Sequence, residues 1–152
     1  MSKLDNKIWG PIIWDILHTL ATQYKNNNQT MIFRNIFLYY ISEIIPCNEC
    51  YKHYKNFINN INFHYSNLVY QLYLFHNSIN KKLNKKEITI FEFDLLHYEN
   101  KCCNNIYRNL NNLLEYYTRN NTYNYYIKKI NELKKLLNDN KQLIFNNRRL
   151  IM

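Results

Sequence analysis

The sequence has little glycine and proline, with one glycine, Gly10, and two prolines, Pro11 and Pro46, in 152 residues. A dinucleotide-binding fingerprint needs three glycines and a phosphate-binding P-loop needs two, so neither motif is present. Tight β-hairpins favour glycine at positions of positive φ, which argues against a many-turned β-sandwich. The scarcity of both residues therefore predicts a mostly helical protein, and the length allows one domain with a sizeable core.

Long apolar runs are also missing. No run reaches the ~18 residues that a membrane-spanning helix requires, and the longest candidate, Met31 to Ile45, is interrupted by Arg34 and Glu43. The first seven residues lack the apolar core of a secretory signal peptide. We therefore expect a cytoplasmic protein with no membrane partner. In that reducing compartment, four cysteines indicate metal binding or redox chemistry rather than a disulfide framework.

Negative charge is scarce in the last third of the chain. The net charge is +9, with ten basic and eight acidic residues in 1–100 and ten basic and three acidic residues in 101–152. A basic third can bind nucleic acid, but a solvated helical face is the commoner outcome, so nucleic acid is not a favoured partner. We divide the chain into a domain of residues 1–100, whose bundle is expected to be complete, and a basic helical extension of residues 101–152.

Hydrophobic periodicity predicts helices along the whole chain. They span about 11–24, 29–44, 47–58, 66–83, 90–99, 106–117 and 123–137. Pro11 suits a first helical position, where its missing N–H costs nothing. Pro46 disfavours the helical conformation of the residue before it and so ends the second helix. Thr89 and Glu92 form a capping box that starts the helix at residue 90.

Two cysteines three residues apart, Cys47 and Cys50, directly follow Pro46. At a helix start they can form a disulfide without straining the fold, and the helix N-terminus is expected to lower the pKa of the leading thiol below the free value of ~8.5. That geometry predicts a redox-active pair. The alternative is zinc, with Cys47, Cys50 and His53 as three ligands, but a closed structural site needs a fourth ligand.

Two polar groups of residues are candidates for contact with a cofactor. On the predicted helix 66–83, one side carries His76, Asn77, Asn80 and Leu83. Lys82 and Lys85 lie at the end of that helix, where their charges can neutralise phosphates. On the first helix, Trp14 and His18 are four residues apart and share a face. Together with Trp9 they can form the wall of an aromatic cofactor site. Each group also has an ordinary structural alternative, either a polar helix end or a core tryptophan beside a histidine.

Three motifs follow one another along the chain: Trp9-Gly10-Pro11-x-x-Trp14-x-x-x-His18, Pro46-Cys47-x-x-Cys50 and His76-Asn77-x-x-Asn80-x-x-Leu83-x-Lys85. Their order and spacing resemble those of the Erv/ALR family of FAD-linked sulfhydryl oxidases. The matching core spans about residues 9–98. The small single-domain form is similar to the thiol oxidases of large cytoplasmic DNA viruses.

The resemblance implies an all-α fold in which a four-helix bundle with a short fifth helix holds FAD, followed by the C-terminal helical extension. It implies that Cys47 exchanges with an incoming dithiol and that Cys50 lies against the flavin. The cofactor-binding residues that it implies are Trp14, His18, His76, Asn77, Asn80, Lys82, Leu83, Lys85 and Tyr98, with His97 as the neighbour if the register shifts by one.

The activity that the resemblance implies is an FAD-dependent thiol oxidase. Such an enzyme makes disulfide bonds in protein substrates and passes electrons through the C-x-x-C pair and FAD to oxygen, giving hydrogen peroxide. The expected partners are a protein dithiol, such as a thioredoxin-like or other redox carrier, molecular oxygen and a second copy in a homodimer. A viral enzyme of this kind is expected in the host cytoplasm or the virion. The alternative is a basic helical nucleic-acid-binding or scaffold protein with a structural Cys/His zinc site.

Two further questions stay open at the level of sequence. The apolar residues of the segment Met31 to Ile41 suit either a dimer interface or a core, and periodicity does not distinguish the two. The vicinal pair Cys102 and Cys103 has three interpretations: an electron relay, a link between subunits, or two free thiols. A disulfide between neighbouring cysteines is strained and easily reduced.

Overall fold

The computed structural model describes residues 4–93, 103–120 and 124–145. Across these ranges the chain is all-α, as predicted, and contains no strand. The helices are α1 (Asn6–Gln23), α2 (Thr30–Asn35), α3 (Asn48–Asn60), α4 (Leu68–Lys82), α5 (Cys103–Arg119), α6 (Asn124–Asp139) and α7 (Lys141–Phe145). A 3₁₀ turn, Asn27–Gln29, precedes α2, and a π-helix, Ile36–Ile41, and a second 3₁₀ turn, Ser42–Ile44, follow it. Within the described ranges, no helix has both the length and the apolar character needed to cross a membrane.

Helix α1 begins at Asn6, well before the predicted start at Pro11. Asp5 is its N-cap, and the Asp5 carboxylate accepts a hydrogen bond from the backbone N–H of Lys7 at 2.9 Å. The prediction was wrong because this carboxylate satisfies a backbone donor that the helix start leaves unpaired, which is a stronger start signal than proline. Pro11 therefore lies inside the helix, where its exposed ring faces solvent.

The segment between α1 and α3 follows the predicted second helix but is not one regular α-helix. Its middle widens into the π-helix Ile36–Ile41 before the chain tightens again. Ile45 is extended, with φ −86° and ψ 111°, as expected for a residue before proline. Cys47 then becomes the N-cap of α3. Pro46 therefore ends one element and places Cys47 at the start of the next, as predicted.

The hydrophobic core includes side chains from both sides of residue 100. Helix α1 packs on α4 and on α5, and α6 packs on the π-helix and on the 3₁₀ turn after it. Fully buried members of this one cluster are Ile16, Leu20, Phe33, Phe37, Leu68, Leu72, Ile106, Leu110, Leu113, Tyr117, Ile130, Leu133 and Leu137. The C-terminal helices are therefore packed against the N-terminal ones through a shared core.

Polar contacts add to this packing. The side-chain amide of Gln29, a residue only 1% exposed, donates to the carbonyl oxygen of Leu143 at 2.9 Å. The hydroxyl of Tyr117 donates to the carbonyl oxygen of Ile44 at 2.8 Å. Each acceptor carbonyl lies at the end of a helical element, where it has no partner within that element. The two hydrogen bonds therefore join the N-terminal helices to the C-terminal ones.

The segment Met31 to Ile41 belongs mainly to this core. Its inner residues, Phe33, Ile36, Phe37 and Ile41, are fully buried within the chain. Met31 and Tyr39 point outwards and are 86% and 61% exposed. The structure thus answers the question that periodicity left open, because the buried face of this segment contacts the chain's own helices.

The predicted fifth helix starts as expected and then leaves the described ranges. The backbone N–H of Glu92 donates to the hydroxyl oxygen of Thr89 at 3.1 Å, and the Glu92 carboxylate accepts from the Thr89 N–H at 3.3 Å. This reciprocal pair is the predicted capping box. Helical structure runs from residue 90 to residue 93. His97, Tyr98 and Cys102 lie outside the described residues.

Candidate active site

A cavity of about 800 Å³ lies between α1, α3, α4 and the segment 88–93. The predicted site residues that line it are Trp14, His18, Cys47, Cys50, His76, Asn80, Lys82, Leu83 and Lys85. They come from three helices and one turn that are far apart in the sequence. The fold therefore brings the three predicted motifs together around one space, of a size that suits a large organic ligand.

One wall of the cavity is a stack of aromatic rings. The indole of Trp14 and the imidazole of His76 stack with centroids 3.8 Å apart and planes 6° from parallel. His18 lies one turn after Trp14 on the same face of α1, and the two ring centroids are 5.7 Å apart. The ring of Phe75 also contacts that of Trp14, at a centroid distance of 5.5 Å and a tilt of 54°. The wall is flat and suits a planar aromatic group.

The two histidines of this wall contact each other through their ring nitrogens. The Nε2 atom of His18 and the Nδ1 atom of His76 are 3.1 Å apart, a hydrogen-bond distance. Burial, followed by the nearby charge of Lys85, lowers the pKa of His76 to about 4. His76 is therefore uncharged near pH 7 and can donate from one ring nitrogen and accept at the other.

The dithiol pair lies at the start of α3. The backbone N–H of Cys50 donates to the sulfur of Cys47 at 3.3 Å, so the Cys47 side chain caps the helix. Both cysteines are half-buried free thiols in this structure. Burial, and next the hydrogen bond with Cys47, raise the pKa of Cys50 to about 12. The reduced pair therefore holds the Cys50 proton at neutral pH.

The end of α4 presents two lysines to the cavity. Asn84 adopts a positive φ of 56°, and the backbone N–H of Lys85 reaches back to the carbonyl oxygen of Asn80 at 2.7 Å. The Asn84 N–H donates to the Lys81 carbonyl at 3.2 Å, which completes a Schellman motif. This turn reverses the chain, so Lys85 lines the same cavity as Lys82.

His53, a zinc ligand in the alternative prediction, has a different neighbour. Its Nε2 atom lies 3.2 Å from the ammonium nitrogen of Lys82, and both residues line the cavity. In the ranges that the structure describes, no group of three or more His, Cys, Asp or Glu residues could hold a metal ion. His53 therefore belongs with the lysines at the cationic part of the cavity.

Of the predicted site residues that the structure describes, Asn77 does not line the cavity. Its side-chain amide donates to the carbonyl oxygen of Ile88 at 2.7 Å, and its side-chain oxygen accepts from the Ile88 N–H at 2.7 Å. Asn77 thus pairs with the Ile88 backbone as a neighbouring strand would. It holds the segment that follows α4 against the cavity, whereas Asn80 contacts the cavity directly.

Two lining residues carry buried polar atoms: Trp9, which belongs to the wall that the sequence predicted, and Thr19, which was not predicted. The indole nitrogen of Trp9 and the hydroxyl of Thr19 are buried and have no hydrogen-bond partner among the described residues. Phe75, next to His76, and Phe93, whose ring meets that of His18 edge-on at 5.2 Å, also line the cavity and were not predicted. Thr19 had a sequence signal, since it is a polar residue within the apolar stripe of α1.

These observations fit a flavin nucleotide. The flat aromatic wall suits a planar ring system, and the unpaired Trp9 and Thr19 groups suit a ring with polar edges. Lys82 and Lys85 suit phosphates, as the sequence predicted. The dithiol in the same cavity is the group that such a ring system could oxidise.

Comparison with known proteins points the same way. The sequence model of the Erv1 / Alr family matches residues 11–108. The chain is also 31% identical over 100 residues to a protein of Invertebrate iridescent virus 3 named FAD-linked sulfhydryl oxidase 096R, and this alignment covers 59% of the chain and 67% of the viral protein. No solved structure matches the chain. The family match begins in α1 and ends within α5, so it spans the whole described cavity lining except for residues before Pro11.

Proposed function

The chain belongs to the Erv1/Alr family, and from this premise we propose that it is an FAD-dependent thiol oxidase that makes disulfide bonds in protein substrates. The observation that carries the proposal is the shared cavity, in which the Cys47–Cys50 pair and the Trp14–His76 stack line one space. A scaffold protein has no use for a dithiol beside a flat aromatic wall.

Substrate exchange is assigned to Cys47. Cys47 is the N-cap of α3, and the next two residues, Asn48 and Glu49, are exposed, so a protein dithiol can approach this end of the helix. A substrate thiolate attacks the Cys47 sulfur of the oxidised pair, the Cys47–Cys50 bond breaks, and Cys50 leaves with the electron pair. The second substrate thiolate then attacks the substrate sulfur of this mixed disulfide. The oxidised substrate is released, and Cys47 and Cys50 hold the two electrons and, after protonation, two protons.

The residues that would hold FAD are those of the wall and the end of α4. An outer face of the Trp14–His76 stack would pack on its ring system, the unpaired Trp9 nitrogen would donate to it, and Lys82 and Lys85 would balance its phosphates. When bound, FAD supplies a two-electron acceptor for the dithiol and passes the electrons to oxygen, giving hydrogen peroxide. Cys50 lies one turn inside α3, which keeps it within the cavity while Cys47 meets the substrate.

The proposed partners are a protein dithiol, molecular oxygen and a second copy of the chain. The buried face of the segment 31–41 already contacts the chain's own core, and α5 covers one side of α1. A homodimer would therefore have to use other surfaces. The dimer stays a prediction.

A comparison of two cysteine variants tests the function. We expect Cys50→Ser to lose dithiothreitol oxidase activity and keep its flavin absorbance near ~450 nm, since the walls of the cavity come from other side chains. The matched control is Cys103→Ser, a half-buried cysteine at the start of α5, which should retain activity with this small dithiol. Full activity in Cys50→Ser, or a colourless wild-type protein that cannot be reconstituted with FAD, would refute the proposal.

A further inference from the structure

The π-helix Ile36–Ile41 lies against α3, the helix that carries the dithiol. In a π-helix the backbone hydrogen bonds reach one residue further than in an α-helix, and such widened turns are rare and occur frequently at functional sites. The widened turn changes the direction and spacing of the local carbonyl groups. Two of them, those of Phe37 and Leu38, accept hydrogen bonds from α3.

The contacts between the two elements are directional. The hydroxyl of Tyr54 donates to the carbonyl oxygen of Phe37 at 2.7 Å, and both residues are buried, at 2% and 0% exposure. The ammonium of Lys55 donates to the carbonyl oxygen of Leu38 at 3.0 Å and lies 5.4 Å from the centre of the Tyr39 ring. Two consecutive side chains of α3 are thus bonded to two consecutive carbonyls of the π-helix.

Tyr54 is also coupled to the dithiol through helix geometry. It follows Cys50 by four residues, so the two side chains lie on the same face of α3, one turn apart, and both line the cavity. A hydrogen bond weakens steeply when its donor and acceptor shift out of alignment. The Tyr54 hydroxyl therefore resists movement of α3 along its axis.

We propose that Tyr54 is a positioning residue, whose hydrogen bond to the π-helix sets the depth at which α3 presents the Cys50 sulfur to the cavity. Lys55 acts as the second, more exposed attachment of the same helix. The role in electron transfer rests on the proposed function, since it concerns the distance between Cys50 and the flavin. The attachment of α3 itself is independent of any cofactor.

The chain offers a matched control for Tyr54→Phe. Tyr117 is fully buried, and its hydroxyl donates to the carbonyl oxygen of Ile44 at 2.8 Å, in the 3₁₀ turn Ser42–Ile44 that follows the π-helix. Tyr117 belongs to α5 and does not line the cavity. Tyr117→Phe therefore removes one buried hydroxyl and leaves one carbonyl without its donor, as Tyr54→Phe does, but it leaves α3 attached.

The first measurement uses the flavin-bound full-length protein. In Tyr54→Phe we expect the single-turnover rate of flavin reduction by dithiothreitol to fall about three- to tenfold, which corresponds to the loss of one buried hydrogen bond. A Cys50 thiolate beside the bound flavin would add absorbance at long wavelength, and we expect this band to be weaker in Tyr54→Phe, while the KM for dithiothreitol stays the same. Tyr117→Phe should keep both signals within about twofold of wild type. An unchanged Tyr54→Phe, or an equal loss in both variants, would overturn the proposal.

The second measurement does not depend on the flavin. We expect amide hydrogen exchange of residues 48–55 to accelerate in Tyr54→Phe and to stay at the wild-type rate in Tyr117→Phe. If the purified chain proves to bind no flavin, the proposed oxidase function fails, and the exchange comparison still decides whether Tyr54 holds α3. If Tyr54→Phe does not fold, Lys55→Met removes the neighbouring attachment and keeps the alkyl chain. Slower flavin reduction and faster exchange are then expected in Lys55→Met, and wild-type values of both would overturn the proposal.

Discussion

At the scale of single residues, the cavity depends on side chains that are neutral because they are buried. Trp14 and His76 come from α1 and α4, and their rings stack at 3.8 Å. An imidazolium in this position would lose its hydration and lie near Lys85, so burial and charge both favour the uncharged ring. The same argument applies to Cys50, whose thiol keeps its proton until a partner stabilises the thiolate.

The neutral state of His76 predicts how stability changes with pH. The pKa of His76 is about 4 in the folded chain, compared with 6.5 for an unperturbed histidine. Between these values the unfolded chain binds more protons than the folded chain, so acid favours unfolding. We expect the free energy of unfolding to decrease as pH falls from about 6.5 to about 4, with a slope from this residue of up to about 1.4 kcal/mol per pH unit. Below about pH 4 this contribution should no longer change.

Urea denaturation at several pH values checks this slope. His76→Gln should be less dependent on pH across this window, whereas His64→Gln, which alters an exposed histidine bonded to Ser66, should keep the wild-type slope. If the wild type and His76→Gln show the same pH dependence, the assignment of the neutral state is wrong.

At the scale of secondary structure elements, the ends of the helices decide where the chemistry lies. The N-terminus of α3 places Cys47 at the surface, and the end of α4 turns Lys85 back to the cavity. Helical periodicity identified these elements because it depends on neighbouring residues only. The π-helix escaped prediction, because its apolar pattern matches that of an α-helix, and its carbonyl partners, Tyr54 and Lys55, come from another element.

The turn at Asn84 gives a prediction at this scale. Its φ of 56° lies in the left-handed region, which costs a residue with a Cβ about 1–2 kcal/mol and costs glycine almost nothing. Asparagine tolerates this region better than alanine does. We expect Asn84→Ala to lower the free energy of unfolding by about 1 kcal/mol and to weaken FAD binding. Asn84→Gly should keep both at or above the wild-type level.

Thermal unfolding and a flavin titration of the two variants provide the measurement. The glycine variant is the control, because it removes the same side chain as the alanine variant and keeps the backbone conformation available. Equal losses in Asn84→Gly and Asn84→Ala would show that the amide itself, and not the left-handed backbone, holds Lys85 in place.

At the scale of the whole molecule, the basic C-terminal helices take part in the core. Helix α5 covers one side of α1, and Ile106, Leu110 and Leu113 are fully buried. The side chain of Asn109 also donates to the Asp15 carboxylate at 2.6 Å, on the helix that carries Trp14. Among the described basic residues of this part, Arg119, Lys128 and Lys135 are exposed and pair with acidic residues of the same helices.

A chain shortened after Asn100 tests the contribution of these helices. We expect this variant to lose cooperative unfolding and FAD binding, because the side of α1 that α5 covers would be exposed to water. Burial of each large apolar side chain contributes about 1.5–3 kcal/mol, so removal of several is comparable to the usual stability of a domain, about 5–15 kcal/mol. Circular dichroism melting and flavin absorbance of the shortened chain are the measurements. A yellow protein that melts cooperatively would show that residues 1–100 fold alone.

The sequence by itself determined the helical class and the family resemblance, and its Cys47–Cys50 spacing predicts a redox pair. The low glycine content, the helical spacing of apolar residues and the order of the three motifs can be read from the sequence without knowledge of packing. Only the tertiary structure decided that Asn77 pairs with a backbone segment, that His53 lines the cavity beside Lys82, and that the segment 31–41 is core. The physical reason is that burial and hydrogen-bond partners depend on residues distant in the chain. Periodicity shows that a side chain faces inwards but does not show what it meets there.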